Sequence, residues 1–195
     1  KEMIKMVVKK SRSHANRGMQ LEKKIDRANK MYAIGGGFIR KTYVASVHKV
    51  PTNVKIMSVN GPRVTGVKQH GEMVDYVGVM LGGHAIAFDA KETKLKRFPL
   101  SNLHDNQYEF LERWYNLGAT TFLVVYFKDE DKYFRLPFKT LQEAWKRAKN
   151  GGRKSIPLSE FENELIYMDG ILYYLEGFYE NKNTNNLFIF NNYSC

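Results

Sequence analysis

The stretch V-D-Y-V-G-V-M-L-G-G-H-A-I-A-F-D-A-K-E-T-K, Val74 to Lys94, decides how the chain folds. Its two short apolar runs flank Gly82-Gly83, and paired glycines between such runs predict a tight turn and a β-hairpin. Side chains alternate along a strand, so Asp89 and Lys91, two residues apart, project from one face. Ala85 and Ala87 share that face and are expected to leave room beside it, while Ile86 and Phe88 point the other way, into a core. Asp75 sits on the preceding strand, where pairing brings its carboxylate toward Asp89. Two carboxylates converging beside a lysine suit a divalent cation and offer positive charge to a phosphate under attack. The plainer alternative is a surface salt bridge on an edge strand; the two-strand setting and the small residues favour the site.

On the N-terminal side, residues 1–17 form a basic arm, expected to be flexible until it meets phosphate. A helix is predicted from Gly18, because Leu21, Ile25, Ala28 and Tyr32 keep one stripe, and it should stop at Gly35-Gly36-Gly37. No glycine precedes Lys41-Thr42 at the required spacing, so the triplet is not a phosphate-binding loop of the Walker kind. Glu22 and Asp26 lie one turn apart beside the apolar stripe, with Glu22 placed to look along a groove. Phe38 to Val50 is β-prone. Val54–Val59 and Val64–Gln69 read as a hairpin around Asn60-Gly61-Pro62-Arg63. Their thin apolar content predicts a hairpin standing out from the body.

On the C-terminal side, Lys94-Leu95-Lys96-Arg97 is a basic loop. Ser101–Asn116 contains a helix with Tyr108, Leu111, Trp114 and Tyr115 on its buried side, and His104 and Gln107 one turn apart near its start. The run Thr120–Phe127 is apolar almost throughout, as for a strand covered on both faces. Asp129-Glu130-Asp131 is a turn, and Tyr133–Phe138 returns as a strand. Leu141, Ala144, Trp145 and Ala148 mark a further amphipathic helix, closed by Gly151-Gly152. Ile166–Leu175 suits a hairpin about Asp169-Gly170, and the Asn-rich tail is expected to be poorly ordered. The order of elements predicts an α/β fold, a mixed β-sheet flanked by helices.

The 195 residues suit one domain with an ordinary core, and 43% apolar content is globular. No apolar run approaches the ~20 residues of a membrane span, and no signal peptide is expected, since lysines break the short apolar patches near the start. The single cysteine, Cys195, excludes an internal disulfide and points to a reducing, cytoplasmic compartment. Net charge is +11. Residues 1–50 carry 13 Lys and Arg against 3 Asp and Glu, whereas the last 45 residues carry 3 against 6. Such polarity favours a polyanion docked on one side.

The chain resembles the RecU-type Holliday junction resolvases of the PD-(D/E)xK nuclease superfamily. The resemblance is carried by R-G-M-Q-L-E (Arg17–Glu22), K-V-P-T (Lys49–Thr52), D-Y-V-G-V (Asp75–Val79), F-D-A-K-E-T-K (Phe88–Lys94), F-P-L-S-N-L-H-D-N-Q (Phe98–Gln107) and W-K-R-A-K-N-G-G-R-K-S-I-P (Trp145–Pro157). It covers roughly residues 15–165. It implies a restriction-endonuclease-like core and a homodimeric, magnesium-dependent endonuclease (Mn²⁺ being a substitute) that nicks opposed strands of a four-way DNA junction, with recombination proteins as further partners. Asp75 and Asp89 would be metal ligands, Lys91 the transition-state stabiliser and Gln107 a further metal-site residue. Glu22 would be an acidic group reaching the metal through water, and residues 51–72 a protruding stalk. Phosphate contacts are expected from Lys9, Lys10, Arg12 and Arg17 of the arm and from Lys94, Lys96, Arg97 and His104.

The implied organisation is a basic arm at 1–17, a nuclease domain at 18–178 with the stalk inserted, and a tail at 179–195. Three features depart from the family's pattern. Asp89 replaces the usual glutamate, and Met73 replaces a threonine two residues before the first aspartate. The loop between the carboxylates is one residue longer, and the span from Asp89 to Gln107 one shorter. Two rival readings stand beside the resolvase: a branched-DNA-binding protein that does not cut, and a same-fold nuclease for nicked or flapped DNA.

Overall fold

The computed structural model of the protein describes residues 19–35, 44–51, 54–68 and 73–178. The basic arm, the stretch from Gly36 to Tyr43 and the tail from Asn181 lie outside the described residues.

The first helix, α1 (Met19–Ile34), buries the stripe that its spacing predicts: Leu21, Ile25, Ala28 and Tyr32 are at most 5% exposed. Glu22 lies in its first turn, where a carboxylate complements the helix dipole. Five strands follow in chain order, then a sixth and a helix: β1 (Ala45–Lys49), β2 (Val54–Asn60), β3 (Arg63–Lys68), β4 (Tyr76–Met80), β5 (His84–Thr93), β6 (Arg97–Pro99) and α2 (Asp105–Asn116). The remainder is β7 (Thr120–Phe127), β8 (Lys132–Pro137), α3 (Phe138–Lys149), β9 (Ser155–Pro157), β10 (Tyr167–Met168) and β11 (Ile171–Leu172).

The main sheet has the order β1-β4-β5-β7-β8. The Val74–Lys94 hairpin is its middle: β4 pairs antiparallel with β5, turning through Gly82 and Gly83 at φ 87° and 81°. β5 and β7 run parallel from Ile86↔Thr120 to Thr93↔Phe127. A parallel pair needs a crossover, and here β6 and α2 supply it. That crossover carries α2 onto the sheet face that Asp89 and Lys91 share.

Alternation along β5 and β7 divides the interior in two. Ile86, Phe88, Phe122 and Val124 pack toward α1 and the chain beyond Leu165. Ala87, Leu123, Val125 and Phe127 pack toward α2 and α3. Phe88 is stacked between Tyr76 and Phe122 of the neighbouring strands, with ring centroids 4.9 and 4.8 Å away. Burying an aromatic side chain of this size contributes about 1.5–3 kcal/mol, so the ladder ties three strands in register directly behind the two acids. Gly78 of β4 has its own reason: a Cβ there would meet the Ser46 carbonyl oxygen of β1 at 2.2 Å.

Three expectations are corrected. Ala87 leaves no room, because it is fully buried under the helical layer; only Ala85 is exposed. Tyr115 is 40% exposed, its ring reaching Phe138 only from the edge of the layer at 5.2 Å between centroids, and Phe110 joins Tyr108 and Leu111 as a buried residue of α2. Arg97 belongs to β6, paired with Pro157, rather than to a loop. Among the described residues no helix is long and apolar enough to cross a membrane.

The hairpin of β2 and β3 forms its own two-stranded sheet, and every residue of β2 is exposed. Val54, Ile56, Met57, Val59 and Val64 are 49–65% exposed.

Candidate active site

Strand β5 is covered on both faces, so Asp89 is fixed without access to solvent, at 0% exposure. Its Oδ1 lies 2.6 Å from the Lys91 ammonium in an ion pair. Beyond this ion pair, Oδ1 takes no hydrogen bond from any other described residue. Its other oxygen accepts a 2.5 Å bond from the Gln107 side-chain amide of α2. The Gln107 oxygen in turn accepts from the Lys91 ammonium at 3.1 Å and from the His104 backbone N–H at 3.3 Å. Asp89, Lys91 and Gln107 therefore close a triangle that the crossover alone could assemble, since 16 residues separate Lys91 from Gln107.

Asp75 stands at the head of β4. One of its oxygens accepts from the Ala90 backbone N–H at 3.2 Å, and its carbonyl accepts from Val50 N–H at 2.8 Å. This places its carboxylate against the segment carrying Asp89. Burial pushes the Asp89 carboxyl up to about 7; Lys91 pulls against that shift and Asp75 adds to it. A desolvated carboxylate beside a like charge favours its neutral form unless a cation arrives.

Beyond Asp75 the rim is built by α1 and the end of β1. Glu22 pairs with Lys49 at 2.6 Å. Asp26 accepts a 3.1 Å bond from the hydroxyl of Tyr76, the residue after Asp75. Burial, then Asp26, Glu22 and Asp75, push ionisation of that phenol far above its ordinary range. Burial works against the Lys49 ammonium, but Glu22, Asp26 and Asp75 outweigh it and hold the charge in place. The part played by Lys49 and Tyr76 escapes sequence reasoning: a lone lysine at a strand end and a buried tyrosine carry no spacing rule. The only signal is that Lys49 opens the K-V-P-T segment.

Lys94, Lys96 and Arg97 are exposed just past β5, with Lys96 3.0 Å from Glu130. His104 precedes α2 and touches the triangle through its backbone. Lys9, Lys10, Arg12 and Arg17 lie outside the described residues.

The donor set fits a hard divalent cation. Two carboxylates meet, and the buried one has its charge matched by a single ammonium. Among the described residues no three His, Cys, Asp or Glu side chains converge on one point. A cation with one or two protein carboxylates, completed by water and substrate phosphate, is the usual magnesium arrangement.

A family model described as Recombination protein U matches residues 16–179. That span takes in every candidate site residue except Lys9, Lys10 and Arg12 of the arm. A protein named Holliday junction resolvase RecU from Staphylococcus aureus strain JH9 is 37% identical over 154 residues, covering 75% of this chain and 70% of its own length. The protein of that name from strain MRSA252 matches to the same extent. Among solved structures, Hjc of Archaeoglobus fulgidus, a Holliday junction resolvase, covers 61% of this chain and 77% of its own at 13% identity and a TM-score of 0.36.

Proposed function

The chain belongs to the RecU family, and from that premise we propose that it is a structure-selective DNA endonuclease resolving four-way junctions by paired nicks in recombination and repair. The observation that carries the reading is the meeting of Asp75, Asp89 and Lys91 on adjoining strands, with the buried Asp89 carboxylate paired to the Lys91 ammonium at 2.6 Å.

We assign Asp75 and Asp89 to hold Mg²⁺ or Mn²⁺, with Gln107 beside them. The bound cation supplies Lewis-acid polarisation of the scissile phosphate and lowers the pKa of a coordinated water. Lys91, held by Asp89 and Gln107, faces the place where charge builds on the phosphoryl oxygens. A fixed ammonium there lowers the barrier without itself having to titrate. Glu22, fixed by Lys49, closes the acidic side of the rim. Lys94, Lys96, Arg97, His104 and the basic arm hold backbone phosphates, which position the duplex without reading its sequence.

The division into arm (1–17), nuclease domain (18–178, stalk 51–72) and tail (179–195) follows from this reading. So does a two-fold dimer in the cytoplasm, since two opposed nicks require two sites related by symmetry. The stalk of each subunit then enters the open centre that a linear duplex lacks.

The test is a nicking assay on a mobile four-way junction and on linear, nicked and flapped duplexes of the same sequence, with Mg²⁺ and with Mn²⁺. Symmetric nicks on the junction alone are expected. Tight junction binding without nicks in either metal would favour a non-cleaving branch binder, and equal cutting of flapped or nicked duplex would favour a nuclease of broader taste.

A further inference from the structure

The segment W-K-R-A-K-N-G-G-R-K, Trp145 to Lys154, has no part in the site described above, yet five of the nine residues after Trp145 are Lys or Arg and none is acidic. It comprises the last turn of α3 and the loop into β9. Cations in a last turn complement the helix dipole, which accounts for Lys146, Arg147 and Lys149 but not for Arg153 and Lys154 beyond the helix. The loop has a fixed shape. Gly151 adopts φ 84°, Gly152 N–H donates to the Arg147 carbonyl at 3.0 Å, and a Cβ on Gly152 would meet that same oxygen at 2.8 Å. Glu160 ties Arg153 at 2.7 Å and Arg147 at 3.6 Å. That leaves Lys146, Lys149 and Lys154 exposed and, among the described residues, without an ion pair.

Pairing of β6 with β9 joins this turn to the basic loop after β5. Leu158 N–H donates to the Lys96 carbonyl at 3.0 Å and Leu100 N–H to the Lys154 carbonyl at 3.1 Å, bracketing the pairs from Arg97↔Pro157 to Pro99↔Ser155. Lys96 and Lys154 therefore stand at the two ends of one ribbon, about 13 Å apart at the rise of a strand. A duplex covers that length in about four base pairs. On the other side of the loop the sign reverses: Lys96 meets Glu130 at 3.0 Å, within the Asp129-Glu130-Asp131 turn, and Lys128 is paired with Glu92. An anionic strand seated on Lys96 and Arg97 is repelled by the acidic turn and drawn on toward the basic one. We infer that the α3–β9 turn is a second phosphate clamp, in which Lys146, Lys149 and Lys154 grip the backbone of a duplex arm about four base pairs from the phosphates held by Lys96 and Arg97. This rests on the resolvase reading and adds to it the path that the arm takes across the subunit.

The experiment uses the full chain without divalent metal and measures how affinity for a four-way junction depends on salt. Lys146→Gln/Lys149→Gln/Lys154→Gln keeps good helix formers in α3 and should flatten the log–log slope by up to about 2.7 for three phosphate contacts. Lys23→Gln/Lys30→Gln, on the exposed side of α1 across the sheet, should leave the slope unchanged. A second set of junctions carries uncharged methylphosphonate linkages in the arms, one window of about four base pairs at a time. One window should weaken binding of wild type and leave the triple variant unaffected. The inference is overturned if the triple variant keeps the wild-type slope, or if the α1 variant flattens it by as much for each charge removed, which would reduce the effect to net charge. It is equally overturned if the triple variant sediments as a smaller species, which would give the turn to a second copy of the chain. Windows that weaken wild type and triple variant alike overturn this inference alone; a wild type that binds no junction overturns the reading beneath it.

Discussion

At the scale of single residues, the site depends on how little solvent Asp89 sees. The ion pair on its Oδ1, and Gln107 bridging from its other oxygen to the ammonium, hold Lys91 in one place. Lys91→Ala should therefore lower nicking by ~10²-fold or more, the usual cost of losing one preorganised charge. Junction affinity should stay near wild type in a gel-shift measurement; a variant cutting at the wild-type rate would show that the lysine is misassigned. The same burial makes stability depend on pH. Asp89 titrates near 7 when folded against an ordinary 3.8. Between those values the folded protein keeps a proton that the unfolded chain has released, so stability of the metal-free protein falls as pH rises through this window and levels off above it. Urea denaturation in EDTA from pH 5 to 8 should show wild type losing stability relative to Asp89→Asn, and a constant gap between the two would disprove the raised carboxyl. Asp89→Glu restores the family's usual acid, but the extra methylene enters space beside the fully buried Ala87. Overpacking of this kind costs about 1–3 kcal/mol, so the variant should show a lower Tm together with retained metal-dependent nicking.

Elements differ sharply in what holds them. Strand β5 is anchored on both faces, and Phe88 is stacked between two aromatic neighbours. The β2–β3 ribbon is a separate two-stranded sheet with all of β2 exposed. An element that buries so little can be removed without disturbing the core, because its two strands pack on each other and not on the layers beneath. Replacing residues 54–68 by a short Gly-Ser loop should leave the Tm within a few degrees and duplex affinity unchanged, while abolishing the preference for four-way junctions in competition binding. A truncated protein that keeps its preference would place selectivity in the spacing of two basic clefts instead.

Charge acts over the whole molecule. The first 50 residues hold 13 basic against 3 acidic side chains, and the last 45 hold 3 against 6, so the positive charge is concentrated toward the start of the chain. Deleting residues 1–12 removes Lys1, Lys5, Lys9, Lys10 and Arg12. The log–log dependence of affinity on salt should flatten by about 0.9 for each phosphate that the shortened chain leaves unneutralised. An unchanged slope would mean that the arm does not touch DNA.

The sequence by itself determined the local and the periodic. Leu21, Ile25, Ala28 and Tyr32 announced α1, the glycine pair announced the β4–β5 turn, and i, i+2 spacing put Asp89 and Lys91 on one face, because these are properties of a chain a few residues long. The sparse apolar content of 54–69 likewise told that the hairpin would stand clear. What only the tertiary structure decided was every relation across the crossover and across a strand pair: Gln107 against Asp89, Lys49 against Glu22, Tyr76 against Asp26. The same holds for the two faces of the stalk. Strict alternation puts Ile56 and Val59 on opposite sides, and one inserted residue at Met57 brings them together. A bulge is set by how two strands fit each other, so the residues of one strand do not specify it. Side-chain reach depends on strand order, and strand order is fixed by the packing of layers, which no local spacing records.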